Sequence, residues 1–154
     1  MPHVDAALQG GTNAVPDVAA RLGRVYVDGG RWKEAEKLYV LVMETRKRVL
    51  GEEHPDTLMS MGNLASTYWN QGRWEEAEVL GVSVMETRKR VLGEEHPDTL
   101  TTINNLASTY WIQGRWEEAE VLQVLVTETS KRVLGMEHPS TVRSIANLAV
   151  MHRK

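Results

Sequence analysis

Apolar residues fall on one helical stripe after another along most of the chain. In the stretch that opens at His96-Pro97, Ile103, Leu106, Ala107 and Tyr110 stand at i, i+3, i+4 and i+7. That spacing is one face of an α-helix. After Gly114-Arg115 a second stripe follows, made of Ala119, Leu122, Val126 and Val133. Around it Glu117, Glu118 and Glu120 come early and Lys131 and Arg132 late, the order that complements a helix dipole. Glu128 and Arg132 are also spaced i, i+4 for an ion pair.

The same pair of stripes recurs. Gly-Arg-Trp begins at Gly30, Gly72 and Gly114, and His-Pro at His54, His96 and His138, a period of 42 in both cases. Residues 30–71 and 72–113 are identical at 33 of 42 positions, and 72–112 and 114–154 at 26 of 41. Helix punctuation keeps the same register. Gly51, Gly93 and Gly135 follow Val-Leu where a left-handed cap is expected. Pro55, Pro97 and Pro139 each open a helix. Gly72 and Gly114 mark the turn inside each pair. The pattern predicts seven helices, at 15–28, 31–50, 56–70, 73–92, 98–112, 115–134 and 140–152. It leaves 1–14 as an N-terminal extension, either disordered or holding a short helix over 4–9.

One such helix pair cannot bury its apolar side alone, so neighbours must stack into a shared core. The alanines Ala65, Ala107 and Ala149 in first helices and Ala35, Ala77 and Ala119 in second helices suit close approach. Trp32, Trp74 and Trp116, at the start of each second helix, are read as inter-helix packing. The units are 15–50, 51–92, 93–134 and a partial 135–154, about 3.5 repeats within an array over 15–154.

Composition narrows the function. A net charge of −3 supplies no basic field for nucleic acid or an acidic membrane. No apolar run approaches the roughly 18–20 residues that span a bilayer. No cysteine is present, which excludes thiolate nucleophiles and disulfides. His54, His96 and His138 follow glutamates, but their equal spacing suits a repeated capping loop better than a metal or acid–base site. Steps on the order of 10 Å keep them apart. No Gly-x4-Gly-Lys-Ser/Thr loop occurs. The expectation is a cytoplasmic, non-enzymatic chain without cofactor or metal.

The residues Ile103, Leu106, Ala107, Tyr110 and Ala119 resemble the tetratricopeptide repeat in type and spacing, with alanine at its usual glycine except at Gly23. The 42-residue period and the phrases LGEEHPDTL and NNLASTYW are similar to the long repeats of kinesin light chains. They also resemble the arrays of fungal and bacterial NLR-type receptors. The resemblance implies an all-α, right-handed α–α superhelix whose first helices line a concave surface. On that surface it places Asn63, Ser66, Trp69 and Asn70 in one repeat. Thr101, Asn104, Asn105, Ser108, Trp111 and Ile112 follow in the next, and Arg143 and Asn147 in the last. It also implies that Asn63, Asn105 and Asn147 hold the backbone of an extended peptide. Units 51–92 and 93–134 differ at nine positions, and those assigned to the groove would read different ligand features. The function expected is a peptide- or protein-binding module, possible as the sensor part of a larger NLR-type receptor. The alternative is a self-associating scaffold that forms dimers or head-to-tail arrays through its exposed repeat ends, including a homodimer through the terminal helix.

Overall fold

A computed structural model describes residues 14–152, with side chains from Arg21 onward. Among these residues seven helices occur and no strand: α1 Ala14–Asp28, α2 Trp32–Leu50, α3 Pro55–Asn70, α4 Trp74–Leu92, α5 Pro97–Ile112, α6 Trp116–Leu134 and α7 Pro139–His152. Each lies within one residue of its expected bounds. The short helix weighed for 4–9 falls outside the described residues.

Local chemistry sets these bounds. Pro55 and Pro97 sit in the first turn of their helices, where a missing N–H costs nothing. Ahead of them the histidine acts as N-cap. His54 Nδ1 accepts the Asp56 N–H, His96 Nδ1 the Asp98 N–H and His138 Nδ1 the Ser140 N–H, each at 3.1 Å. At the other end the expected left-handed cap is corrected. Gly51 and Gly135 have φ of 100° and 91° with ψ of 164° and 163°. That is an extended conformation open essentially to glycine alone, because a Cβ would collide there. It turns the chain straight from one helix into the next capping loop.

The chain divides at Leu80/Gly81 into two compact units. In the first, Ala35, Tyr39 and Leu64 form a core flanked by Tyr26, Val27, Val40, Met43, Tyr68 and Leu80. In the second, Leu100 and Ile103 of α5 pack on Val126 of α6, with Met85, Leu122 and Leu134 around them. Ala107 and Ala119 meet Met151 of α7 in an adjoining cluster. Both alanines are wholly buried, so the two backbones approach closely where the sequence put its small residues. Val133, expected in the α6 stripe, is exposed instead. Leu134, the next residue, packs against the Leu100–Val126 core in its place.

Ion pairs stitch successive elements. Arg73 Nη1 meets Glu36 Oε1 at 2.6 Å within the first unit. Arg132 meets Glu95 at 2.7 Å within the second. The pair expected between Glu128 and Arg132 is therefore not the one formed; Lys131 takes Glu128 at 3.6 Å. Arginine reaches the neighbouring loop carboxylate because its longer fork can lie along it.

Candidate functional site

The residues expected to line a ligand groove separate into two sets, one in each unit. In the first, Asn63 is half-buried, while Ser66, Trp69 and Asn70 are exposed on α3. Asn70 Nδ2 donates to the Ser66 carbonyl at 2.8 Å and so folds back on its own helix. Met59, on the same helix, is 54% exposed.

In the second unit, Thr101, Asn105 and Ile112 are exposed on α5, and Ser108 and Trp111 are half-buried. Thr101 Oγ1 donates to the Pro97 carbonyl at 3.1 Å, and Ser108 Oγ to the Asn104 carbonyl at 3.2 Å. Arg143 of α7 is exposed and Asn147 half-buried. Arg143 Nη2 donates to Asn105 Oδ1 at 3.1 Å. That bond brings the outer faces of two first helices, one period apart, into side-chain contact.

Asn104 is a correction. It is 2% exposed and points away from any groove. Its Nδ2 donates to Ser144 Oγ at 2.9 Å, and its Oδ1 accepts from Gln123 Nε2 at 2.8 Å. Both ends of this buried amide are satisfied, by partners in α6 and α7. Sequence spacing placed Asn104 beside Asn105, yet a helix turns about 100° per residue, which is enough to move it from the outer face to the joint.

The sequence reading missed the half-exposure of Trp116. The ring is 48% exposed and leans on Trp111 with centroids 5.8 Å apart and planes tilted by 43°. Ile112, at the end of α5 beside the α5–α6 turn, is also exposed. The preceding turn carries Asn70 at the place of Ile112, and that exchange was the available signal.

Behind these faces an arginine caps each hairpin turn. Arg31, Arg73 and Arg115 lie over the rings of Tyr26, Tyr68 and Tyr110 at 4.8, 4.4 and 4.1 Å. Arg73 Nε also binds Glu76 Oε1 at 2.8 Å, and Arg115 Nε binds Glu118 Oε1 at 2.9 Å. The hydrogen bond from arginine holds the Glu76 and Glu118 carboxyls below the usual value. Burial pushes the Tyr68 hydroxyl up, with Glu36 adding to it. These are positioning contacts, and they fix the turn on which Trp111 and Trp116 stand. No helix among the described residues is long and apolar enough to cross a membrane.

Comparison with known proteins agrees with this architecture. A tetratricopeptide-repeat family profile matches residues 17–56, 57–98 and 99–140. Two crystal structures of a Podospora anserina kinesin-light-chain-like protein with nearly identical TPR-like repeats, one a single-site variant, superpose with TM-score 0.82. They are 32% and 31% identical, over 88% and 89% of this chain and 64% and 65% of theirs. BtubC from P. vanneervenii shares the fold, with TM-score 0.81 at 21% identity over 90% of this chain and 55% of its own. A nucleotide-binding leucine-rich repeat (NLR)-like protein of Hyaloscypha variabilis is 46% identical over 67 residues, 40% of this chain and 7% of that protein. This chain thus spans less than two thirds of each relative. Helix pairs, capping loops and turn arginines recur at the period that the profile matches, and the chain belongs to the tetratricopeptide repeat family in its kinesin-light-chain-like form.

Proposed function

We propose that the chain binds an extended segment of a protein partner along the outward faces of its first helices. The family is one of protein-interaction scaffolds, and that coarse role carries over directly. The observation that supports the surface is the contact between Arg143 and Asn105 at 3.1 Å. It joins two first helices through exposed polar groups, so a peptide crossing one helix meets the next. An amide both donates and accepts; Asn63 in the first unit, and Asn105 and Asn147 in the second, can therefore each hold a peptide backbone whatever its side chains. Trp69 in the first unit and Trp111 with Ile112 in the second supply apolar area beside them. By analogy with the NLR-like relative, such a module would serve as the sensing part of a larger receptor.

A pull-down with wild-type chain, repeated with Asn63, Asn105 and Asn147 all changed to Ala, tests the reading. Loss of specific partners at unchanged helicity is expected. An unchanged partner set would remove the asparagine surface.

Self-association is a second reading, favoured by α7. Val142 is 53% exposed where Leu100, one period earlier, is 1% exposed. Ala149 is exposed where Ala107 is wholly buried. Pairing of two copies through this face predicts a concentration-dependent dimer in light scattering that Leu148→Glu abolishes. A monomer at all concentrations would reject it.

A further inference from the structure

Units 51–92 and 93–134 differ at nine positions: 59, 60, 61, 62, 70, 81, 83, 85 and 88 against 101, 102, 103, 104, 112, 123, 125, 127 and 130. In the second copy six of these are buried, namely Thr102, Ile103, Asn104, Gln123, Thr127 and Ser130, all at 5% exposure or less. Only Thr101, Ile112 and Leu125 are exposed. Divergence between near-identical units is therefore concentrated in the joint between helices, and drift on a ligand surface does not account for it.

The joints are built in two ways. In the first unit, Arg46 is 5% exposed, and its Nη1 donates to Ser60 Oγ at 2.8 Å and to the Asp56 carbonyl at 3.4 Å. Within the second unit, Arg88 does the same to Thr102 Oγ1 at 2.7 Å and the Asp98 carbonyl at 3.4 Å. One period on, that arginine is Ser130, and the hydroxyl it would have clamped belongs to Ser144. Ser144 Oγ instead accepts from Asn104 Nδ2, while Gln123 Nε2 bonds Asn104 Oδ1 and reaches the Ser144 carbonyl at 3.3 Å. Thr127 Oγ1 lies 3.3 Å from the same carbonyl. Beside Ser130, Thr141 Oγ1 donates to the Ser130 carbonyl at 3.1 Å.

We propose that Asn104, Gln123, Thr127 and Ser144 form a neutral register lock that makes α6 the partner of α5 and α7 its successor. The unit needs one because its own near-copy is present in the same chain. A pairing that put α4 on the face of α5 that α6 takes would set Gly81 where Gln123 belongs and Met85 where Thr127 belongs. Asn104 Oδ1 would then lose its Gln123 Nε2 donor and keep only Ser144 Oγ, at 3.1 Å, and a hydrogen bond lost in a buried site is costly. A buried polar group that selects register against an apolar alternative is a known device in packed helices. Here the selection works between two hairpins of almost equal apolar content.

A double-mutant cycle tests this. Asn104→Gly and Gln123→Gly restore the residues of the earlier unit. Each alone breaks the Asn104–Gln123 bond from one side and should lower the thermal midpoint by several degrees. The double variant should lose clearly less than the sum, because both ends of the bond go together. Its α7 amides should also exchange faster or give doubled NMR resonances, as a helix with relaxed register would. The milder pair Asn104→Ala and Ser144→Ala, which removes both ends of the Asn104–Ser144 side-chain bond, gives an equivalent cycle if the glycine variants lose helicity. Additive losses in the cycle that folds, or a single set of fully protected α7 resonances, would overturn the lock.

Discussion

The ring of Tyr39 occupies the space where a side chain on Gly23 would begin. A Cβ built on Gly23 would stand 2.7 Å from Tyr39 Cε1 and 3.0 Å from Cζ. Tyr39 is 5% exposed and part of the first-unit core. The one first helix that keeps a glycine at this position is thus the one whose second helix brings a tyrosine. One period later the same two positions hold Ala65 and Gly81, and then Ala107 and Gln123.

Gly23→Ala should therefore destabilise the chain by about 1–3 kcal/mol, the usual cost of overpacking. Tyr39→Gly in the same chain should offset part of that cost, since it recreates the Ala/Gly pair of the next unit. Urea unfolding of the two single variants and the double decides it; equal loss in G23A with and without Y39G would disprove the steric pairing.

Removing a histidine cap should weaken one helix start. His54→Ala leaves the Asp56 N–H without its acceptor, at a cost of about 1 kcal/mol. His54→Asn should cost less, because asparagine is itself a preferred cap. Thermal unfolding of the pair, with His96 and His138 intact, measures the difference.

The buried contact of Leu100 with Val126 carries much of the second unit. Leu100 is 1% exposed and Val126 wholly buried. Leu100→Ala should cost about 2–5 kcal/mol through lost burial and the cavity left behind. Val142→Ala, the same position in α7, should cost under about 1 kcal/mol, because that side chain is half exposed. Chemical denaturation of both variants gives the contrast directly.

Acid should remove the turn contacts. Hydrogen bonds from Arg73 and Arg115 hold Glu76 and Glu118 below the ordinary value of 4.5, and Arg132 does the same for Glu95. A carboxyl depressed in the folded state contributes stability that is complete above its unfolded value. That contribution fades as pH falls from about 4.5 through the lowered value. The gap in thermal midpoint between wild type and Arg115→Ala should be widest near neutrality and shrink below that range. A gap independent of pH would assign the arginine's role to its contact with Tyr110 alone.

Helix bounds were legible to within one residue because proline, histidine and glycine punctuate every period. The cores were legible for a related reason. Leu100, Ile103, Leu106 and Ala107 repeat a spacing that only one helical face satisfies. Asn104 was not legible. Nothing in α5 alone distinguishes it from Asn105, since its partners Gln123 and Ser144 lie 19 and 40 residues away in other helices. Trp116 misled for the opposite reason. Its place in the repeat suggested packing, and it does touch Trp111, but the neighbours that would enclose it are set by the tertiary arrangement. The glycine at the helix end was read correctly as residue type and incorrectly as conformation, because both left-handed and extended positive-φ backbones select glycine.

The histidine caps carry one more implication. An imidazole nitrogen that receives an amide proton cannot hold its own, so the neutral ring must carry hydrogen on Nε2. All three rings are thereby committed to one tautomer by the backbone itself. Each capping loop consequently carries the same single N–H donor, repeated once per period of the sequence.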